Sequence, residues 1–155
     1  MMSDETVELL RDVGFDPERN VLTQRQAEVL ALREQNYSQR EIADQLGTSR
    51  ANISSVESSA RQNVENARET VALAESLAAP VRLRIEPETD IYTIPPLVYE
   101  ACDETRTKVA HSSAEIVRMI RETVPLAIAD DQTTLPIVLS VGTDGQVTIR
   151  RPALD

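Results

Sequence analysis

The stretch QREIADQLGTSRANISSVES, residues 39–58, puts at each constrained position the kind of residue that a helix-turn-helix requires. Ser38 followed by Glu41 is a capping box that starts a helix. Ile42, Ala43 and Leu46 give that helix one apolar face, with the small Ala43 where two helices would approach most closely. Gly47 follows where the chain must turn sharply, since a residue without a Cβ takes φ > 0 at least cost. Thr48 is then the expected cap of a second helix. In that helix Ile53 and Val56 point back at Ile42 and Leu46, because a spacing of three keeps them on one face. The outward residues, Ser49, Arg50, Ala51, Asn52, Ser54, Ser55 and Ser58, are small or polar, a surface that can approach base edges closely and offer hydrogen bonds. Together with Arg61, and with Ser38, Gln39 and Thr48 around the starts of the two helices, they form the expected contact set for double-stranded DNA. Residues 49–63 are the expected recognition helix.

Outward from this core, Thr23 and Gln26 make a second capping box before an apolar helix whose packing face is expected at Leu22, Ala27, Leu30 and Val29. Neither Gly nor Pro occurs between Thr48 and Ala79, and apolar positions recur at Ile53, Val56, Ala60, Val64, Ala67, Val71, Ala74 and Leu77. Steps of three and four predict one unbroken helix with a narrow stripe of Ala and Val. Such a stripe suits a partner helix or the rest of the same chain, and the sequence leaves both open. Ahead of the motif, residues 1–20 carry Val7, Leu9, Leu10 and Val13, ending near Gly14 and Pro17, which reads as an extra helix or a frayed arm.

Pro80 marks a change of character. Val81, Leu83 and Ile85 alternate with Arg82, Arg84 and Glu86, the pattern of a half-buried strand. Residues 90–94 read as a short extended piece, 97–105 as a helix whose first turn accommodates proline, and Ser112 with Glu115 as the cap of another helix. Residues 135–141 and 146–150 are two expected strands around an Asp144-Gly145 turn. The expected architecture is therefore an N-terminal extension over 1–20, an all-α helix-turn-helix domain with a long helix over 21–78, and a small α+β domain with an antiparallel sheet over 79–155.

Residues 21–70, VLTQRQAEVLALREQNYSQREIADQLGTSRANISSVESSARQNVENARET, resemble the N-terminal domain of the archaeal Tfx-type transcriptional regulators. DIYTIPPLVYEACDE, residues 90–104, is similar to the second half of that family, so the likeness covers nearly all of the chain. The helix-turn-helix alone is shared with response regulators and region four of bacterial sigma factors, whereas the ARQNVENARET and IYTIPPLVYE stretches are more specific. The resemblance implies a sequence-specific DNA-binding regulator.

Charge fits least well, because the chain carries a net −10 while phosphate neutralisation draws on basic surface. The N-terminal half is itself acidic. Lys108 is the single lysine among many arginines and abundant acids, a composition that points to a halophilic organism with a salt-filled cytoplasm and, taken with the resemblance, to a halophilic archaeon. There, charge attraction is screened within about 3 Å at 1 M salt, so recognition leans on hydrogen bonds, shape and apolar contact.

No stretch approaches the roughly 20 apolar residues of a membrane span, and MMSDETVE is acidic where a signal peptide is basic, so a soluble cytoplasmic protein is expected. The lone Cys102 excludes an internal disulfide, and with His111 the only histidine no closed zinc site is expected. No glycine-rich phosphate loop occurs, Asp130 and Asp131 read as a solvated loop, and Cys102 reads as a small buried thiol. No cofactor, metal or catalytic residue is therefore expected. A homodimer is, with dimerisation, a small-molecule effector or contact with transcription machinery as the options for the second domain. The rival readings are a DNA-targeted enzyme such as a recombinase, which would need spaced carboxylates or an activated nucleophile, and a protein-interaction adaptor that does not bind DNA.

Overall fold

The computed structural model describes residues 4–153 of the chain. They form two compact units that divide at Thr70 and Val71.

The first unit opens with α1 (Asp4–Asp12), whose Asp4 and Glu5 meet the positive end of the helix dipole. It is a packed helix, since Leu10 is buried with Ala27 and Ala31, and Leu9 and Phe15 lie against them. Val7 and Val13 are exposed instead of buried, while Thr6 is buried and its Oγ1 lies 3.2 Å from Gln35 Oε1. Next come α2 (Gln24–Glu34), capped by the expected Thr23 and Gln26 box, and α3 (Gln39–Leu46), capped by Ser38. α4 then runs unbroken over Arg50–Ala78, as the absence of Gly and Pro predicts, and ends before Pro80.

The core of this unit corrects one expectation. Val29 and Leu32 of α2 are fully buried with Ile42, Ala43 and Ile53, whereas Leu22 and Leu30 are only half-buried. Two partners divide α2: Ala27 and Ala31 meet α1, and Val29 and Leu32 meet the helix-turn-helix. A single stripe was the wrong template for a helix gripped on two sides. Each of the fully buried Leu32, Ile42 and Ile53 contributes about 1.5–3 kcal/mol by leaving water.

The second unit contains the end of α4 and then β1 (Val81–Ile85), α5 (Ile94–Glu104), α6 (Ser113–Thr123), the two-residue strands β2 (Ile128–Ala129) and β3 (Gln132–Thr133), β4 (Ile137–Val141) and β5 (Val147–Arg150). The main sheet has the order β1-β4-β5 and is antiparallel throughout. Register aligns Leu83, Leu139 and Ile149 in one row and Val81, Val141 and Val147 in another. Those side chains share a core with Val98 and Cys102 of α5 and Ile116 and Ile120 of α6. The opposite face carries Arg82, Ser140 and Thr148 in one row and Arg84, Val138 and Arg150 in the next.

Of residues 90–94 only Asp90 is extended, bridged antiparallel to Gln132. Asp90 Oδ1 accepts the Tyr92 amide at 2.8 Å and starts a 3-10 turn over Ile91–Thr93, which leads directly into α5 with Pro95 in its first turn. α5 therefore begins three residues ahead of the expected 97. β4 starts at Ile137, because Pro136 before it has no amide to give a ladder. Asp130 and Asp131, read as a plain loop, form the tip of the small β2–β3 hairpin with φ of 51° and 61°. Aspartate tolerates that region better than most side chains, and Arg121 ties the turn down by donating to both Asp131 and Tyr92.

Cys102 is 1% exposed, and burial, with Asp103 nearby, pushes its thiol above the usual value, which makes it a packing residue. His111 bridges two parts of this unit: its ring lies 3.1 Å from Gln146 Oε1 and 3.6 Å from Glu115, and its carbonyl accepts the Tyr99 hydroxyl.

Candidate nucleic-acid interface

The turn between α3 and α4 is built as the glycine implies. Gly47 has φ 68° and ψ 38°, and both its amide and that of Thr48 bond back to the Ala43 carbonyl. The cap of α4 is Ser49, since its Oγ accepts the Asn52 amide at 3.1 Å. Thr48, the expected cap, instead gives its amide to the turn, and the helix starts one residue later than expected. A Cβ at Gly47 would meet nothing within 4 Å, so only the backbone conformation demands glycine there. Gly47→Val should accordingly cost about 1–3 kcal/mol by strain alone. Urea unfolding measures it, and a midpoint equal to the parent's would mean that the backbone relaxes out of the left-handed region.

Ile53 and Ala60 are fully buried, with Val56 half-buried beside them, and this anchors one side of α4. Ala51, Ser54, Ser55 and Ser58, at steps of three and four, line the opposite side, and all are exposed. Arg50 is exposed at the first helical position, where the helix dipole and free amides favour an anion. Thr48, Ser49, Asn52 and Arg61 are exposed too, whereas Ser38 and Gln39 are half-buried. Ser38 spends its hydroxyl on the Glu41 amide and on Glu41 Oε1. Asn52 lies on the flank of the helix, two residues from the middle of the outward stripe.

Two of these residues are drawn inward by one that sequence reasoning passed over. Glu57 is buried at 7% exposure, and its Oε1 accepts Gln39 Nε2 at 3.2 Å and lies 2.8 Å from Arg33 Nε. Its Oε2 accepts Arg61 Nε at 3.0 Å. Burial by itself would raise its pKa, but the bonds from Gln39 and Arg61 and the charges of Arg33 and Arg61 outweigh this and hold it below the usual carboxylate value. The carboxylate thus joins α2, α3 and α4. Its sequence signal was an acid three and four residues from Ala60 and Ile53, on the buried stripe. Arg40 at the start of α3 and Gln62, four residues beyond Ser58, are further exposed polar groups outside the expected set.

Among the described residues, no helix is long and apolar enough to cross a membrane.

Comparison with known proteins agrees with this geometry. Residues 20–66 match the family model for sigma-70, region 4, which spans α2, α3 and the first half of α4. Residues 67–149 match the model described as DNA-binding protein, TFX, C-term. The chain is 53% identical over 143 residues to a candidate transcriptional regulatory protein of Haloarcula marismortui, covering 92% of this chain and 90% of that one. A candidate transcriptional regulatory protein of Methanocaldococcus jannaschii is 40% identical over 105 residues, 68% of this chain and 77% of its own. The DNA-binding protein Tfx of Methanothermobacter thermautotrophicus is 30% identical over 131 residues, 84% of this chain and 95% of that protein. A helix-turn-helix on a long helix, an antiparallel α+β unit following it in the chain, and relatives matched over 77–95% of their own length all lead to one assignment: the chain belongs to the Tfx family.

Proposed function

We propose that this chain is a sequence-specific DNA-binding transcription regulator that lays the first turns of α4 in the major groove and acts in the cytoplasm as a homodimer. The observation that carries the reading is the outward stripe of Ala51, Ser54, Ser55 and Ser58 opposite the buried Ile53 and Ala60. Short side chains let the helix backbone approach base edges, and their hydroxyls can donate or accept there. Arg50 is the long donor at the leading end, suited to the O6 and N7 pair of a guanine. Ser49, Thr48 and Ser38 sit at helix starts, where free amides suit phosphate, and Asn52 flanks them. Gln39 and Arg61 serve mainly through Glu57, which sets how α3 and α4 lie together, and the outer nitrogens of Arg61 remain for a phosphate. The names borne by the relatives, a DNA-binding protein and transcriptional regulatory proteins, support the same reading. It assigns no catalytic role to any residue, and gives the second unit dimerisation, an effector or the transcription machinery to contact.

Arg50→Ala is the test. It should reduce discrimination between a selected site and random DNA by about 1–3 kcal/mol while leaving the unfolding transition unchanged. The site comes first from selection of bound fragments at high salt. Equal weakening on both DNAs would make Arg50 a phosphate contact, and a failure to enrich any sequence would sink the reading in favour of an adaptor.

A further inference from the structure

We propose that the outer edge of β1 is the dimer surface, pairing antiparallel with β1 of a second copy about a twofold axis beside Arg84. The inference rests on the dimeric reading above and names the surface it uses.

β1 stands at one end of the order β1-β4-β5, and among the described residues the backbone of Val81–Ile85 bonds only to β4. A five-residue edge of this kind offers a row of unpaired amides and carbonyls to another strand. The opposite edge is less open: Ala110 bonds to Gly145 at the turn leading into β5, and Pro152 follows its end. Beside β1 runs a groove of about 330 Å³, lined by Leu83, Arg84, Ile85, Leu97 and Ala101 together with the exposed Glu100 and Glu104. Leu97 is 42% exposed there, an apolar side chain without cover.

Charge selects a second copy as the occupant. Arg82, Arg84 and Glu86 share one face, and Arg84 Nε holds Glu86 Oε1 at 2.7 Å. Arg82 and Glu86 of one chain are about 13 Å apart along a strand and cannot pair with each other. An antiparallel register with Leu83 opposite the partner's Ile85 sets each Arg82 opposite the partner's Glu86, twice by symmetry. Moving the axis to Leu83 would face each Arg82 with the partner's Arg84, two like-charge pairs and no opposite one, whereas the axis beside Arg84 has a single Arg84–Arg84 contact, offset by the Glu86 that each Arg84 holds. Moving it to Ile85 would need Glu88 in the ladder, but Glu88 has φ 65° and gives its amide to the Thr133 carbonyl. On the helix side, Leu83 and the partner's Ile85 then close over Leu97.

Two experiments on the full chain test this. Arg84→Cys, oxidised in solution, should give a covalent dimer, because residues facing across the axis have Cα atoms about 4.5–5.5 Å apart, within disulfide range. The buried Cys102 gives no background, and Leu77→Cys, on an exposed part of α4, should not cross-link. Arg82→Glu and Glu86→Arg should each weaken association about tenfold by light scattering at moderate ionic strength, and the double reversal should restore it to within about threefold. Cross-linking through Leu77→Cys alone, or no rescue by the double reversal, overturns the β1 surface and leaves the dimer standing. A monomer at every concentration, with the unfolding transition of a folded chain, removes both, whereas DNA selection on the same samples tests the DNA reading separately.

Discussion

Glu57→Ala should lower the stability of the first unit by about 2–4 kcal/mol, because it takes the carboxylate from the buried Arg33 Nε and the half-buried Gln39 and unties α4 from both, while the exposed Arg61 adds little. Urea unfolding at neutral pH reads the loss. Glu57→Gln separates charge from shape and should cost less. The pH dependence has a definite sign. The folded-state pKa is depressed, so the stabilisation is complete above the unfolded carboxylate value and disappears as pH falls through the folded one. The difference between the parent and Glu57→Gln should therefore be constant above about pH 5 and shrink below it. A difference that persists unchanged into strong acid would mean that the carboxylate does not carry this network. Loss of DNA affinity in the same variants would follow from α3 and α4 losing their common tie.

Gly145→Ala should be as damaging to the second unit, at about 3 kcal/mol or more. Two effects add here, where only one acts at Gly47. Gly145 has φ 81°, and a Cβ would lie 2.5 Å from the Lys108 carbonyl oxygen and 3.1 Å from the Ala110 nitrogen. Both neighbours are backbone, and the Ala110 amide itself bonds to the Gly145 carbonyl, so neither can swing aside. For a unit of this size each kcal/mol lowers the midpoint by about 4–8 °C, and a drop of more than 10 °C is expected. A shift of only a few degrees would show that the segment before α6 yields readily.

What the sequence made legible were features whose cause is local. Gly47 and the Thr23 and Gln26 box act within four residues of themselves, and their geometry appears as read, whereas Ser38 caps α3 with its hydroxyl alone, because Glu41 takes that hydroxyl and not the Ser38 amide. The alternation in β1 and the Asp144-Gly145 turn belong to the same class. Features that depend on distant partners were hidden. Nothing near Leu30 says that α2 is held on two sides, so Leu32 joined the expected Val29 and Ala27 in the core while Leu22 and Leu30 stayed half-buried. Ser49 is the cap in place of Thr48 because the turn closes two residues beyond Leu46, with both the Gly47 and Thr48 amides on the Ala43 carbonyl, and this length of turn is not written in the cap residues themselves. For the candidate interface, the outward stripe was readable from periodicity, whereas the inward pull on Gln39 and Arg61 needed Glu57 to be buried against α2 and α3. An acid on an apolar stripe is the visible trace of such a tie.

The pairing of β1 with β4 also fixes an order of events during synthesis. α1 to α4 meet partners close in sequence, so the first unit can close while the chain is still being made. β1 instead leaves the ribosome about fifty residues ahead of Ile137, the start of β4, its strand partner among the described residues. At the pace of translation that is an interval of a few seconds, during which Val81, Leu83 and Ile85 have neither ladder nor core. Arg82 and Arg84 alternate with those apolar residues and break up what would otherwise be a run ready to aggregate. The same two arginines keep the nascent strand in solution until β4 arrives.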